Sequence, residues 1–301
     1  MNYRHAFHAG NFADVMKHIV LVRVIEHLKQ KDKPFRVIDT HAGVGLYDLS
    51  GDAAQRSGEW RGGIGALLDV ERFSAKDVAA GSSLDALLAP YIQVLRAING
   101  NNGVAARCGG DGADLRYYPG SGEFARRLMR ADDRLVVNEL HDADAVLLRR
   151  LMKRDERVRA LQLDGWMAAK SLMPPKERRG VLLIDPPFEL AGEFARLERT
   201  LDEVVARFAT GTTILWYPIK AGGESGSFLK RMAQSGHRRL LSAELLVRHR
   251  DTSRGLNGSG LLIHNPTFGL DEQLQIIFPW LTEKLAQQAG AEWRVTWLVD
   301  E

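Results

Sequence analysis

Short apolar runs alternate with amphipathic helical stretches along most of this 301-residue chain, and this alternation limits the possible folds more than any other feature. Apolar runs separated by helices are typical of βαβ units, in which helices cover both faces of a mostly parallel sheet. We therefore predict one domain, residues 1–301, with a doubly wound α/β sheet. The predicted strands are residues 35–39, 134–140, 158–164, 181–185, 212–218, 240–247 and 260–266, with 292–299 as a candidate final strand.

Two segments do not fit a simple βα repeat. Residues 11–31 have the pattern of a helix ahead of the first strand, with Asn11 as its N-cap. Residues 50–115 separate the first two strands and are too many for one connection. Within them, 82–98 are helical in pattern and 99–114 are a Gly/Asn-rich loop. We predict that residues 50–115 form a helical insertion subdomain.

The composition is that of an ordinary soluble globular protein, with 45% hydrophobic and 26% charged residues. No apolar stretch is long enough to span a bilayer, and the first residues lack the apolar core of a secretory signal. Cys108 is the only cysteine, which excludes an internal disulfide and a cysteine-built zinc site. These features predict a cytoplasmic protein with no membrane contact.

The net charge of +3 alone says little about partners, but several basic side chains are clustered. Each cluster has two interpretations: a solvated surface, or part of a surface that follows nucleic-acid phosphates if the clusters converge. The sequence leaves both open. The clusters are residues 148–159, 176–179, 237–239 and 248–254.

Ligands of such sheets bind beyond the carboxyl ends of the strands, and acidic residues or glycines follow several of these ends. Gly43 and Gly45 follow the first strand, where they allow close approach to a ligand or simply form a tight turn. Glu139 ends the second strand and suits either a ribose diol or a surface salt bridge. Asp164 ends the third strand, where it suits an adenine amino group or the N-cap of a helix that starts at Trp166.

The fourth strand runs into Asp-Pro-Pro-Phe, residues 185–188. Two prolines fix the backbone in a stiff extended turn, so the Asp185 carboxylate and the Pro186 carbonyl are held as neighbouring acceptors. Such acceptors can take both hydrogens of an exocyclic amine, and the Phe188 ring can stack on the flat base. The alternative is a strand-terminating turn with a phenylalanine in the core, which explains fewer of these features.

Asp-Pro-Pro-Phe resembles the D/N/S-P-P-Y/F/W motif of S-adenosylmethionine-dependent methyltransferases that act on amino groups. More of the chain is similar to the RlmJ family, which methylates N6 of one adenine in 23S ribosomal RNA. The resemblance implies a Rossmann-like class I methyltransferase sheet, S-adenosylmethionine as cofactor and 23S ribosomal RNA as partner, without a metal. We also expect a monomer. The similar segments are residues 3–18, 39–43, 117–121, 139–141 and 215–218.

The resemblance also implies roles for individual residues. Phe188 replaces the tyrosine usual in the family, which keeps the stacking surface and loses the hydroxyl. The implied catalytic residues are Asp185, Pro186 and Phe188. The implied cofactor contacts are Lys17, His18, His41, Gly43, Ser121, Glu139, Asp164, Gly165 and Asp185. The implied contacts with substrate RNA are Tyr3, Arg4 and His5.

Three alternatives remain open at this point. A DNA adenine-N6 methyltransferase would carry the same four-residue motif. A non-catalytic RNA-binding or assembly factor could keep a relict cofactor pocket, although acids at all four strand ends argue against it. A nicotinamide-dependent dehydrogenase is weakened by the incomplete glycine fingerprint and leaves the two prolines unexplained.

Overall fold

An eight-stranded sheet forms the centre of the computed structural model, which describes residues 4–68, 83–105, 115–252 and 255–300. The strand order is β10-β8-β9-β7-β6-β1-β4-β5, and β5, β4, β1, β6 and β7 are parallel. The predicted α/β fold with a mostly parallel sheet is confirmed. The strands of this sheet are β1 (Arg36–Asp39), β4 (Arg134–Asn138), β5 (Val158–Leu161), β6 (Gly180–Ile184), β7 (Thr212–Ile219), β8 (Leu240–Leu246), β9 (Gly258–His264) and β10 (Glu292–Val299).

Helices cover both faces of the sheet because alternate strand residues are apolar on each side. Val37 and Leu183 pack towards α1, α5 and α10, whereas Ile38 and Leu182 pack towards α7, α8 and α9. The helices are α1 (Phe12–Lys29), α2 (Asp52–Ser57), α3 (Ile64–Leu67), α4 (Ser83–Ala105), α5 (Ser121–Leu128), α6 (Asp142–Met152), α7 (Gly165–Ser171), α8 (Glu193–Phe208), α9 (Glu224–Ala233) and α10 (Leu270–Leu285), with 3-10 turns at His5–Phe7 and Glu59–Gly62. None of the helices in the described ranges has the length and apolar composition needed to cross a membrane.

The segment between the first two predicted strands contains a two-stranded antiparallel sheet that the sequence did not predict, formed by β2 (Leu46–Asp48) and β3 (Tyr117–Pro119). The prediction of a loop from residue 99 is wrong for its first part, because α4 continues to Ala105 with a non-helical backbone at Gly100. Asn99 lies just before this kink, and its side chain bonds to the Leu95 carbonyl and to both backbone groups of Tyr117. The rest of that predicted loop lies outside the described residues.

Helix α1 is buried on nearly every side rather than along one apolar stripe. The predicted cap is confirmed, because the Asn11 side chain accepts the Asp14 amide at 3.0 Å. Apolar side chains of α1 pack on the sheet and against α4, α5 and α10. Asp14, Lys17 and His18 are therefore buried as well, at 1–3% exposure, and each needs a polar partner inside the protein.

The order in which successive strands are added to the sheet reverses between β1 and β6, two parallel neighbours at its centre. β1 pairs with β4 on one side and β6 on the other, with Asp39 opposite both Val137 and Leu183. The carboxyl ends of β1 and β6 therefore open at the same edge. This switch point is where a ligand of a doubly wound sheet is expected.

Candidate active site

The turn after β6 holds the predicted catalytic acid at the switch point. Asp185 is half-buried and Pro186 is buried. Phe188 has φ of +52°, a left-handed conformation that a bulky residue keeps only when its surroundings hold it. Its ring packs edge-on against Phe194 at 4.9 Å and Trp216 at 5.6 Å between centroids. The turn is thus fixed both by its prolines and by aromatic packing.

Lys17 of α1 reaches the catalytic acid across the fold. Its ammonium donates to Asp185 Oδ2 and, at 2.7 Å, to Asp14 Oδ1. Burial alone would lower the pKa of Lys17, but the two carboxylates raise it above its usual value, so the side chain stays charged. The resemblance implied a cofactor contact for Lys17; in the structure its ammonium lies between the two acids. Asp185 Oδ1 has no hydrogen-bond partner among the described residues.

Asp14 is the centre of this buried ionic cluster. Its carboxylate also accepts from the Gly10 amide at 3.0 Å and contacts His5 Nε2 at 2.9 Å. Against the penalty of burial, His5 and Lys17 hold the pKa of Asp14 well below its usual range. Burial acts against the His5 charge, but Asp14 raises the pKa of His5. The cluster therefore anchors the N-terminal turn to α1 and to the catalytic corner.

A cavity of about 470 Å³ opens beside the turn of residues 185–188. Aromatic and proline side chains form its apolar walls, and charged groups lie at its floor and rim. Its size and mixed lining are those of a site for a small flat molecule. The residues that line it include His5, Asp14, Lys17, Asp185, Phe188, Trp216, Pro218 and Lys220.

A second, narrow crevice of about 30 Å³ lies on the other side of Asp185, towards β1 and β4. His5 and Asp185 line both the crevice and the larger cavity. Asp185 therefore lies between two spaces. The crevice is lined by His5, His41, Gly43, Glu139, Asp144, Asp185 and Pro187.

Glu139, at the end of β4, orders the loop that follows β1. Its carboxylate accepts the Gly43 amide at 2.9 Å and the His141 amide at 2.8 Å. Each carboxylate oxygen keeps a further lone pair, so the group can still accept two hydroxyl donors. Gly43 has φ of +57°, and a Cβ there would lie 2.0 Å from the Tyr47 hydroxyl, so only glycine fits.

His41 and Gly165 lie against each other at the same edge. A Cβ on Gly165 would lie 2.4 Å from His41 Nε2, so the absence of a side chain permits this contact. His41 Nδ1 bonds to the Thr40 hydroxyl at 2.8 Å. Burial lowers the pKa of His41 to about 4, which makes the ring neutral at physiological pH.

Ser121 contacts a buried acid that the sequence analysis did not single out. The Ser121 hydroxyl, at the start of α5, donates to Asp39 Oδ2, and the His41 amide donates to Asp39 Oδ1 at 3.2 Å. Burial raises the pKa of Asp39 to about 6 in spite of these donors. The last residue of β1 is therefore an acid with a weakened preference for its charged form.

Asp164 is the N-cap of α7, which confirms the structural alternative for this residue. Its Oδ1 accepts the amides of Trp166 and Met167, each at 3.0 Å. Its Oδ2 lies 3.4 Å from Arg196 and is partly exposed. One oxygen is used by the helix, and the other faces outwards.

His18 lies deeper than the other predicted site residues. Its Nδ1 is 2.9 Å from the Tyr118 hydroxyl, and its ring packs on Phe124 at 5.1 Å. Burial lowers the pKa of His18 to about 3, so the ring is neutral. In the structure His18 supports the packing beneath the site, with 1% of its surface exposed.

The predicted RNA-contacting segment begins at the edge of the described chain. Tyr3 lies outside the described residues. Arg4 pairs with Asp144 at 3.2 Å, and the His5 ring contacts Tyr47 at 5.4 Å. This turn borders the narrow crevice. Of the basic clusters, 248–254 contributes Arg248 to a cavity that adjoins the larger one.

Sequence reasoning missed Asp14 and Trp216, and it counted Asp39 as a strand-end acid without giving it a role. The spacing of Asn11 and Asp14 was a usable signal, because a cap followed by an acid three residues later marks a helix start. Asp39 is the last residue of β1, and Trp216 lies inside β7, in a strand that the sequence had already identified. Within the described residues, no group of three or more His, Cys, Asp or Glu side chains could hold a metal ion.

The hydrogen-bonding groups around the crevice fit S-adenosylmethionine. Glu139 offers acceptors for a ribose diol, and the absence of a side chain at Gly165 lets the His41 ring pack against the start of α7. A doubly wound sheet with these hydrogen-bonding groups and the Asp-Pro-Pro-Phe turn at residues 185–188 defines an S-adenosylmethionine-dependent class I methyltransferase.

Comparison with known proteins identifies the family. The model of the family described as "RsmJ: Ribosomal RNA large subunit methyltransferase D, RlmJ" matches residues 32–299, and the chain belongs to this family. Proteins named ribosomal RNA large subunit methyltransferase J are similar over all 301 residues and over their own full length: 37% identical in Haemophilus influenzae and 38% in Escherichia coli. The crystal structure of protein LPL1258 from Legionella pneumophila is 29% identical, with a TM-score of 0.80 over 96% of this chain and 98% of that one.

Proposed function

We propose that this methyltransferase modifies N6 of an adenine in 23S ribosomal RNA. The observation that carries the proposal is the position of Asp185, which lines both the donor-side crevice and the larger cavity with aromatic walls. An acceptor at that point faces a methyl donor on one side and a flat, amine-bearing base on the other. The ribosomal substrate is supported by the names of the full-length relatives.

Asp185 and Pro186 hold the target amine. The free Oδ1 of Asp185 and the Pro186 carbonyl accept the two amine hydrogens, which draws the nitrogen lone pair out of conjugation with the ring. Phe188 and Trp216 provide faces on which the unstacked base rests. Most of the rate enhancement then comes from positioning and from acceptors that are already oriented.

Lys17 orients the acid without touching the base. By donating to Asp185 Oδ2, it fixes the carboxylate plane and leaves Oδ1 for the amine. The amine proton leaves late, to Asp185 or to water, because an ordinary carboxylate is a weak base. His5 and Asp14 stabilise the same arrangement through the buried cluster.

S-adenosylmethionine supplies an electrophilic methyl group on a sulfonium. Glu139 binds the ribose hydroxyls, and the outward oxygen of Asp164 with the Gly165 backbone binds the adenine amino group. His41 and Gly43 also line the crevice, and Ser121 contributes through its hydrogen bond to Asp39 at the end of β1. Lys17 and His18 act from behind it, through Asp185 and through packing.

The N-terminal segment contacts the RNA on the substrate side. Arg4 is exposed and His5 lines the larger cavity, and Tyr3 precedes them in the chain. We further propose that the protein acts as a cytoplasmic monomer. Its substrate is then a ribosomal RNA or an assembling large subunit rather than a membrane-bound complex.

The test is methylation of ribosomal RNA and of DNA side by side, with RNA taken from cells that lack the gene. We expect labelled methyl groups in the large-subunit RNA, and mass spectrometry should map them to N6 of one adenine. Preferential incorporation into DNA would replace the proposed substrate. If the protein binds RNA and S-adenosylmethionine but transfers no methyl group, this result would support a non-catalytic assembly factor instead.

A further inference from the structure

A separate cavity of about 420 Å³ adjoins the target cavity and has no role in the mechanism above. Phe188, Pro218 and Lys220 line both spaces, so the two share a wall. The N-terminal residues of α8 and of α9 form the other side of this cavity. A ligand placed here would be next to a base held against Asp185.

Two helix N-termini meet at this cavity, and neither has a side-chain cap. Gly192 and Gly223 are the N-cap residues, in left-handed conformations with φ of +85° and +73°. The first helical backbone bonds run from Arg196 to Gly192 and from Ser227 to Gly223, so the amides before them have no acceptor within the helix. Paired amide groups and helix dipoles of this kind attract anions.

Ser225 gives an independent indication of a ligand. It lies in the first turn of α9, lines the cavity and is 3% exposed. Its hydroxyl has no hydrogen-bond partner among the described residues. A buried hydroxyl without a partner is costly, and a bound acceptor in the cavity would satisfy it.

The charges around the cavity limit which anion fits. Lys220 is exposed and forms no salt bridge within the described ranges, whereas Arg231 is held by Glu198 at 2.7 Å. Glu193 and Glu224 begin the two helices, and burial raises the pKa of Glu193. One available cation beside two acids favours a singly charged group over a multiply charged one.

We propose that this cavity binds a backbone phosphodiester of the substrate RNA, from a nucleotide next to the target adenosine. The amides at the starts of α8 and α9, the Ser225 hydroxyl and the Lys220 ammonium hold the phosphate. This inference rests on the proposed function for its substrate. It explains how a base could be held in register while its own contacts are confined to the amine and the ring faces.

The test compares Ser225→Asp with Ser225→Asn, which have nearly the same shape and differ by one charge. We expect the Asp variant to raise KM for ribosomal RNA about tenfold, because its carboxylate repels a phosphate. The Asn variant loses the hydroxyl but keeps a hydrogen-bond donor, so its KM should rise less than that of the Asp variant. Both variants should keep their affinity for S-adenosylhomocysteine. Equal KM values for the two variants would overturn the proposal.

Lys220→Gln provides a second route, because Lys220 is exposed and its replacement does not endanger folding. We expect weaker RNA binding and a salt dependence with about one phosphate contact fewer. Lys230→Gln, on the exposed side of α9, removes the same charge away from the cavity and should leave the salt dependence unchanged. Identical salt slopes for the two lysine variants would contradict a phosphate at Lys220.

A titration with inorganic phosphate separates this inference from the proposed function. At constant ionic strength, the NMR signals of the Ser225 and Gly226 amides should shift in the wild type and not in Ser225→Asp. Unmoved wild-type signals would remove the anion site, whether or not the protein methylates RNA. Failure of the wild type to methylate ribosomal RNA would remove the proposed function, and the shifts would then decide the anion site alone.

Discussion

The acids on the two sides of the switch point are held in different ways. On the donor side, which is the crevice proposed for the methyl donor, Glu139 and Asp164 accept from backbone amides a few residues away in sequence or in the adjoining loop. On the acceptor side, Asp185 is bound by Lys17, 168 residues earlier in the chain. The donor side is thus held mainly by nearby backbone amides, with Gly43 of the β1 loop as a distant partner, whereas the acceptor side depends on docking α1 against the sheet.

This difference links chemistry to stability on one side only. The Lys17 ammonium and its two acids are almost fully buried, and removal of one member leaves uncompensated charge inside the protein. Glu139 and Asp164 keep local amide partners whatever happens at the acceptor side. We therefore expect changes at the acceptor side to affect folding and catalysis together, and changes at the donor side to affect mainly cofactor binding.

The largest effect is expected for Lys17→Met. Loss of the cation leaves Asp185 without a charged partner and Asp14 with His5 alone, and it should lower the free energy of unfolding by about 3–5 kcal/mol, with methyl transfer reduced as well. Chemical denaturation measures the first effect. Lys29→Met, on the same helix with a half-exposed pair to Glu26, should cost less than about 1 kcal/mol. Equal losses in the two variants would break the comparison.

Asp185→Ala should reduce kcat by about 10²–10³-fold, because an oriented acceptor for the target amine is lost. Circular dichroism should show an intact fold, and affinity for S-adenosylhomocysteine should change little. Asp185→Asn keeps one acceptor oxygen, so its rate should lie between those of the wild type and the Ala variant. An Ala variant with full activity would eliminate the assigned role.

Glu139→Gln should weaken cofactor binding about 10- to 100-fold, because one acceptor becomes a donor facing backbone amides. Calorimetry with S-adenosylhomocysteine measures this loss. We expect stability of the unliganded protein to fall by far less than in Lys17→Met. A loss of stability as large as that of the lysine variant would show that the donor side is not locally assembled.

The smallest effect concerns Asp39, whose pKa is raised to about 6 by burial. A carboxyl group whose pKa is higher in the folded state favours folding at low pH, and this advantage is lost as the pH rises from about 4 to about 6. Asp39→Asn has no such loss, so its stability relative to the wild type should rise by roughly 1–2 kcal/mol across that range. Parallel pH profiles of the two proteins would contradict the raised pKa.

The sequence predicted the parts of the molecule whose causes are local. Apolar runs such as 181–184 became strands, and Asp164 became the N-cap that its position before Trp166 indicated. The D-P-P-F turn was interpretable because proline restricts the backbone wherever it occurs. Each of these features depends on residues within a few positions of each other.

The parts that escaped prediction depend on distant contacts. The resemblance implied a cofactor contact for Lys17, and nothing near it in sequence reveals that Asp185 is its partner. The end of α4 was predicted too early, because the helix resumes after the kink at Gly100 and Asn99 beside that kink also bonds to Tyr117, which is distant in sequence. The β2–β3 sheet pairs two strands that are separated in sequence by the whole insertion, and both segments are too short to show a strong strand pattern.

The last strand of the sheet has a consequence for solubility. β10 pairs along the whole of β8, a strand in which all seven residues are buried and only Ser242 and Glu244 are polar. Its own outer residues include Glu292 and Arg294, charged side chains that discourage further strand pairing. Without β10, β8 would present an open apolar edge, so fraying at this margin would promote self-association into aggregates while leaving the distant catalytic corner chemically intact.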